Sequence, residues 1–224
     1  MVKNQFIVAV IALVVAAGLL IAIVVYNGTR SGQSQPLTAD PSIAPGSAEV
    51  VRDDTRYLDE VGDDAVTVVE FLDFECESCA AMYPYVEQVR ETYAGQINVA
   101  VRYFPIPSHR NSENAAVAVE AAAEQGQLEA MYARMYETQT QWGEKQESKA
   151  ALFRSFAEEL GLDMAAFDEA VADPATLERV VSDRAEGTAL GITGTPTFFV
   201  DGKMIELTAV DDLDKAVQNA IAGE

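Results

Sequence analysis

Cys76-Glu77-Ser78-Cys79 places the only two cysteines of this 224-residue chain three positions apart. They stand where a β-branched and aromatic run, Val66 to Phe74, gives way to a helical pattern from Cys76 to Tyr93. At a helix start the first sulfur lies among backbone N–H groups that lack intrahelical partners, at the positive end of the helix dipole. That setting favours thiolate, the species that attacks disulfides. The chemistry on offer is thiol–disulfide exchange. A structural disulfide and a metal site are the competing readings. So small a ring constrains little of the unfolded chain and staples weakly. A structural zinc site takes four Cys or His ligands, and beyond the pair only His109 remains. The expectation is a redox-active Cys76–Cys79 disulfide, with no metal and no separate cofactor.

Two further positions have the right chemistry. Glu70 interrupts the otherwise apolar run before the cysteines. If buried, its unpaired charge is costly, its pKa rises, and it suits a proton relay to or from Cys79. If it faces solvent from an edge, it has no such role. Thr195-Pro196 stands just before a second strand-like run, Thr197 to Val200. Proline has no N–H and tolerates a cis bond, which leaves the backbone of Thr195 open to an extended chain, as in strand addition. An ordinary trans proline at a strand start is the alternative. His109 reads as a satisfied loop residue, and Trp142, in a polar stretch, as loop-exposed.

The elements that must position these residues follow from periodicity. Val66 to Phe74 is nearly continuous in apolar character and suits a central strand buried on both faces. The helix after it should bury Tyr85, Val89 and Tyr93 and kink near Pro84. Ile97 to Phe104 alternates and completes a βαβ unit. From Asn111 to about Leu190 no convincing strand occurs. Five helices are expected there: one from Asn111 or Ser112 to Gln125, then Leu128 to Thr140, Lys149 to Leu160, Asp163 to Ala172, and Pro174 to about Leu190. Asp201-Gly202 is a hairpin signal between Thr197–Val200 and a return strand Met204 to Leu207. Thr208, three residues before Asp211, suggests a capping box, and Leu213, Val217, Ala220 and Ile221 form the apolar stripe of a last helix.

The two motifs together, C-x-x-C at Cys76–Cys79 and Gly194-Thr195-Pro196-Thr197, resemble the thioredoxin superfamily. The helical block between the two sheet halves narrows the likeness to its DsbA-like branch. Phe71-Leu72-Asp73-Phe74-Glu75-Cys76, Phe104-Pro105, and His109 through Ser112 to Gln125-Gly126 look like this branch too. The resemblance covers about residues 50–224. It implies an α/β thioredoxin-like fold with a helical insertion, about residues 109–190, between βαβ and ββα halves. It implies Cys76 as an exposed nucleophile, Cys79 as a less exposed resolving thiol, and Glu70 as the buried acid beneath them. Thr195 and Pro196, joined by a cis peptide, would face the cysteines and bind substrate. Glu77 and Ser78 would tune the redox potential. One departure stands out: the strongly oxidising members resembled here carry a Pro-His type pair between the cysteines. Here Glu77-Ser78 fills that place and Glu75 precedes it. Negative neighbours disfavour the Cys76 thiolate, which predicts a weaker oxidant.

Upstream, Phe6 to Tyr26 carries no charge and, as a helix, would extend about 31 Å, enough for a bilayer core. Residues 1–5 then form a short cytoplasmic terminus, 6–26 a single transmembrane anchor, 27–47 a Gly/Ser/Gln/Pro-rich tether and 48–224 the folded domain. A cleaved signal peptide competes, but its apolar region is shorter and ends at a small-x-small site. A persistent disulfide fits the extracytoplasmic side of a cell membrane. The net charge of −21, with every acid C-terminal to Arg30, disfavours nucleic acid and anionic headgroups as partners.

Three functions fit these observations. The first is a membrane-anchored oxidase that introduces disulfides into exported cysteine-containing proteins and is reoxidised by a quinone-linked membrane partner, DsbB-like or vitamin K epoxide reductase-like. The second is a reductase or isomerase of the same fold, favoured by the acidic dipeptide. The third is a tethered binding or chaperone-like module with an inert disulfide.

Overall fold

The computed structural model describes residues 48–223. The expected anchor at 6–26 and tether at 27–47 lie outside them. Among the described residues no helix is long and apolar enough to cross a membrane.

Five strands form one mixed sheet in the order β1-β3-β2-β4-β5. These are β1 (Arg56–Asp59), β2 (Val66–Leu72), β3 (Ile97–Tyr103), β4 (Thr197–Val200) and β5 (Lys203–Ile205). Between β2 and β3 runs α1 (Glu77–Thr92), and β2 and β3 pair in parallel from Val66↔Ile97 to Leu72↔Tyr103. β4 returns antiparallel on the other side of β2, placing Glu70 opposite Phe198. β5 folds back through Asp201-Gly202, whose φ values of 47° and 74° are both left-handed, as the two-residue hairpin turn requires.

The helical insertion is α2 (Ser112–Ala123), α3 (Leu128–Trp142), α4 (Ala150–Glu159), α5 (Met164–Ala172) and α6 (Pro174–Ala189), and α7 (Asp212–Ala222) closes the described chain. Alternation along the strands sorts the core. Val68, Val99, Phe198 and Val200 face Met82, Val86 and Val89 of α1 and Leu213 and Val217 of α7. Val69, Phe71, Ala100 and Phe199 face the opposite side. There α6 comes so close that a Cβ on Gly187 would meet the Phe104 ring at 2.8 Å. α2 buries Ala115, Ala116, Ala118, Ala121 and Ala122, side chains small enough for neighbouring helices to approach closely.

Several expectations are corrected. β1 carries no strong apolar alternation, and it exists because β3 offers it an antiparallel edge. β3 does not alternate: all seven residues are buried, with Asn98 and Arg102 satisfied by internal bonds. Tyr85 is exposed, because α1 turns Met82, Val86 and Val89 inward instead. Trp142 is fully buried, locked edge-on against Phe153 at 4.8 Å. Asn111 does not cap α2 with its side chain, which bonds the 145–149 loop instead. Asp212, rather than Asp211, accepts the Thr208 amide and hydroxyl. Ile221 is exposed at the end of α7.

Candidate active site

The cysteine turn is built by the sequence just before it. Asp73 is buried and accepts the Glu75 amide at 2.8 Å, and its backbone carbonyl accepts the Cys76 amide at 3.1 Å. This turn sets Cys76 at the N-cap of α1 with extended backbone (φ −70°, ψ 121°) and no side-chain cap. The amides at the start of the helix are therefore free to face the Cys76 sulfur. Cys79 lies one turn in, completely buried, while Cys76 keeps 8% of its surface exposed. The expected order of accessibility holds, but Cys76 is far more covered than an exposed nucleophile. Both are free thiols.

Just before β4, the neighbour of β2, Thr195-Pro196 arrives with a cis peptide bond. The Cys76 thiol donates to the Thr195 carbonyl at 3.4 Å. The Thr195 hydroxyl is buried with no hydrogen-bond partner among the described residues while Cys76 is a thiol, which leaves it available to donate to the sulfur once Cys76 ionises and so favours the thiolate.

The two thiols are driven apart in acidity. The Cys76 pKa falls to about 5, first because Cys79 donates to its sulfur, then through Thr195 and the amides of Cys79 and Ser78, against the cost of burial. The Cys79 pKa rises well above the ordinary value, first by burial, then because its proton is held by Cys76, and by the proximity of Glu70. The negative neighbours do not prevent this, contrary to the sequence expectation. Glu75 is buried with its carboxylate on the Asn111 amide, and its own pKa is raised by burial. Glu77 is exposed on the first turn of α1, where solvent screens it.

Glu70 sits on the face of β2 that α1 covers, at 2% exposure. One of its oxygens has no partner among the described residues. Burial, with Glu87 and Cys76 adding to it, pushes its pKa up to about 8. A carboxyl poised there can hold or release a proton near neutrality.

The sequence profile of the family described as Thioredoxin matches residues 62–219. The chain belongs to the thioredoxin family. Within it, a thioredoxin-like oxidoreductase from Silicibacter pomeroyi is 26% identical, with a TM-score of 0.65 over 79% of this chain and 98% of that one. α-DsbA1 from Wolbachia pipientis shares the fold at a TM-score of 0.65 and 18% identity, over 77% of this chain and 94% of that one. Among curated proteins, a stretch of the Na(+)/H(+) antiporter NhaA from Herminiimonas arsenicoxydans is 30% identical over 174 residues, 76% of this chain. This chain spans about a quarter of that relative's length. Family and neighbours give the chain a thioredoxin-like fold of the form that DsbA proteins share.

In this thioredoxin-family site the structure brings together Cys76, Cys79, Glu70, Thr195 and Pro196. Glu77 stands apart from them at the surface, beside Ser78. Sequence reasoning missed the part that four residues play in holding the turn. Asp73 accepts His109 Nδ1 at 2.7 Å and the Ile106 amide at 3.0 Å, so His109 is fastened to the turn rather than merely satisfied in a loop. That carboxylate is the main reason the His109 pKa is raised. Asn111 ties Glu75 to the helical insertion. Gln139 donates from α3 to backbone carbonyls at the turn. Asp73 and Glu75 were visible as acids flanking the cysteines, but nothing local signals Gln139.

Proposed function

We propose that this chain is a membrane-anchored oxidase that introduces disulfides into exported proteins. The observation that carries the reading is Cys76 at the uncapped start of α1, with its sulfur 3.4 Å from the Thr195 carbonyl, a setting that lowers its pKa to about 5. A thiol two pH units below neutrality is stabilised as thiolate about 100-fold at pH 7, which stabilises the reduced form and raises the potential by about 60 mV. A stabilised reduced form makes the disulfide an electron acceptor.

In the reaction, a client thiolate attacks Cys76 Sγ of the disulfide, and Cys79 leaves as a thiolate. Glu70 supplies its proton. A second client thiolate then attacks the mixed disulfide and displaces the Cys76 thiolate, releasing an oxidised client and a reduced pair. Thr195 and Pro196 hold the client backbone alongside Cys76. A quinone-linked membrane partner, DsbB-like or vitamin K epoxide reductase-like, removes the two electrons. The uncharged run at 6–26 holds the domain on the extracytoplasmic side. The reductase alternative rested on the acidic Glu77-Ser78 dipeptide, and the exposure of Glu77 to solvent weakens it.

The deciding measurement is the reduction potential of the chain in glutathione buffers, read by thiol trapping. A value of about −120 to −180 mV is expected. A value near about −250 mV or below would make client oxidation unfavourable and sink the oxidase reading.

A further inference from the structure

Gln139 lies in the last turn of α3, buried at 6% exposure and far from the cysteines in sequence. Its amide nitrogen donates to the Phe74 carbonyl and to the Cys76 carbonyl, each at 2.9 Å. Both protons of one carboxamide are therefore spent on the turn, one on either side of Glu75. The Cys76 carbonyl also accepts the Ala80 amide at 3.1 Å, the first hydrogen bond of α1.

The support behind Gln139 is rigid. Trp142, one turn on, is fully buried against Phe153 of α4. Gly143 follows at the C-cap, where a Cβ would come within 3.1 Å of the Gln139 carbonyl and 3.5 Å of its side chain. Tyr132 and Tyr136 of the same helix pack with Phe74 at 6.0 and 5.2 Å between ring centroids. From Tyr132 to Trp142, α3 is thus fixed both to the helical insertion and to the residues before Cys76.

We infer that Gln139 is a positioning residue through which the helical insertion sets the acidity and redox potential of Cys76. The physical reason is directional. A thiolate at a helix start is stabilised by amides that must point at it. Tying the carbonyls of Phe74 and Cys76 fixes the Phe74–Glu75 and Cys76–Glu77 peptide planes, and with them the direction of Cys76 Sγ toward the helix amides. The same bonds give the Phe74 carbonyl a donor and the Cys76 carbonyl a second one beside the Ala80 amide, which draws off their negative charge at the turn. The inference deepens the thiol-exchange reading above and rests on it.

The test compares Q139M and Q139E with the parent in the full chain. Q139M keeps length and loses both donors, and Q139E keeps shape and offers a carboxylate to the two carbonyls. The readouts are thiolate absorbance at 240 nm against pH, equilibrium with glutathione, and thermal melting. In Q139M we expect Cys76 to titrate at higher pH and the equilibrium constant for oxidising glutathione to fall about tenfold, equivalent to about 30 mV. Q139E should fall further. Lower melting temperatures with unchanged Cys76 titration and potential would overturn the inference, because Gln139 would then be only a structural tie. If neither variant folds, Q139N, which keeps an amide but cannot span both carbonyls, should show a smaller shift of the same sign, and no shift there overturns it equally. The parent's own potential tests the oxidase reading, while the difference between variant and parent tests Gln139, so the two can fail separately.

Discussion

Two clusters of buried polar groups lie on opposite faces of the sheet, and they handle burial in opposite ways. On the α6 side Arg102 is fully buried, with Nε and Nη2 on Asp183 at 2.9 and 2.7 Å, Nη2 on Glu186, and Nη1 on the Glu49 carbonyl. Arg52 and Arg179 reach the same Asp183, at 3.0 and 3.3 Å, and Asp183 also accepts the Tyr103 amide. On the α1 side Glu70 is buried as deeply, yet one oxygen has no partner among the described residues, nor do the hydroxyls of Tyr132 and Tyr136. Where each charge meets a countercharge, the cluster fastens segment 49–56 and α6 to β3. Where a carboxyl is left without one, its pKa moves into the range in which proteins work. Equal burial thus makes a clamp in one place and a proton carrier in the other.

The sharpest way to break the comparison is at its reactive end. C76S should reduce client oxidation to the uncatalysed background, and C79S should accumulate mixed disulfides that non-reducing gels resolve. Persistent oxidation by C76S would remove the site from the reaction.

D183N attacks the clamp. It leaves Arg102 buried beside a neutral partner, and the expected loss is about 3–5 kcal/mol in urea unfolding. The Cys76 titration in the surviving folded protein should not move. A shift there would mean the two faces are coupled rather than separate.

E70Q sharpens the other side through pH. The folded-state pKa of Glu70 is raised, to about 8, so the native state keeps a proton that the unfolded chain loses at ordinary carboxylate pH. Its contribution to stability is complete below the unfolded pKa and is lost as pH rises toward 8. The parent should therefore lose stability across that window by an amount on the order of a few kcal/mol. E70Q should lack that decline and turn over clients several-fold more slowly near neutrality. Parallel stability curves for the two proteins would place Glu70 in an ordinary, solvated state.

T195V should give the smallest effect. Losing the unpartnered hydroxyl beside Cys76 should raise that thiol's pKa by less than about one unit, visible at 240 nm. Because the Cys79 thiol is the larger contributor, an effect exceeding that of C79S would reverse the order of causes.

Much of this fold was legible in the chain. β2, β4 and the five insertion helices follow from apolar period, caps and Gly/Pro punctuation, and Asp201-Gly202 marked its hairpin. β1 was not legible, because an edge strand takes its hydrogen bonds from a partner and carries little pattern of its own. Trp142 was misplaced because its polar neighbours set the local average, whereas Phe153 in another helix decides its burial. Of the site, Cys76, Cys79, Glu70, Thr195 and Pro196 were readable as unusual residue types at meaningful places. Asp73 was visible as an acid beside the cysteines but not as the anchor of the turn, and His109, Asn111 and Gln139 were not readable, since each acts on a group distant in sequence.

The sequence by itself determined which atoms can exchange disulfides and that a helix start holds the first of them. Spacing and residue type suffice for that, because both are local properties. Only the tertiary structure decided how acidic Cys76 is. Glu75 and Glu77 argued for a weak acid, and the fold overruled them by turning Glu75 onto Asn111, leaving Glu77 in solvent and converging Cys79, Thr195 and two helix amides on one sulfur. The direction in which a charge or a dipole points is set by packing, and a pKa depends on direction as much as on sign.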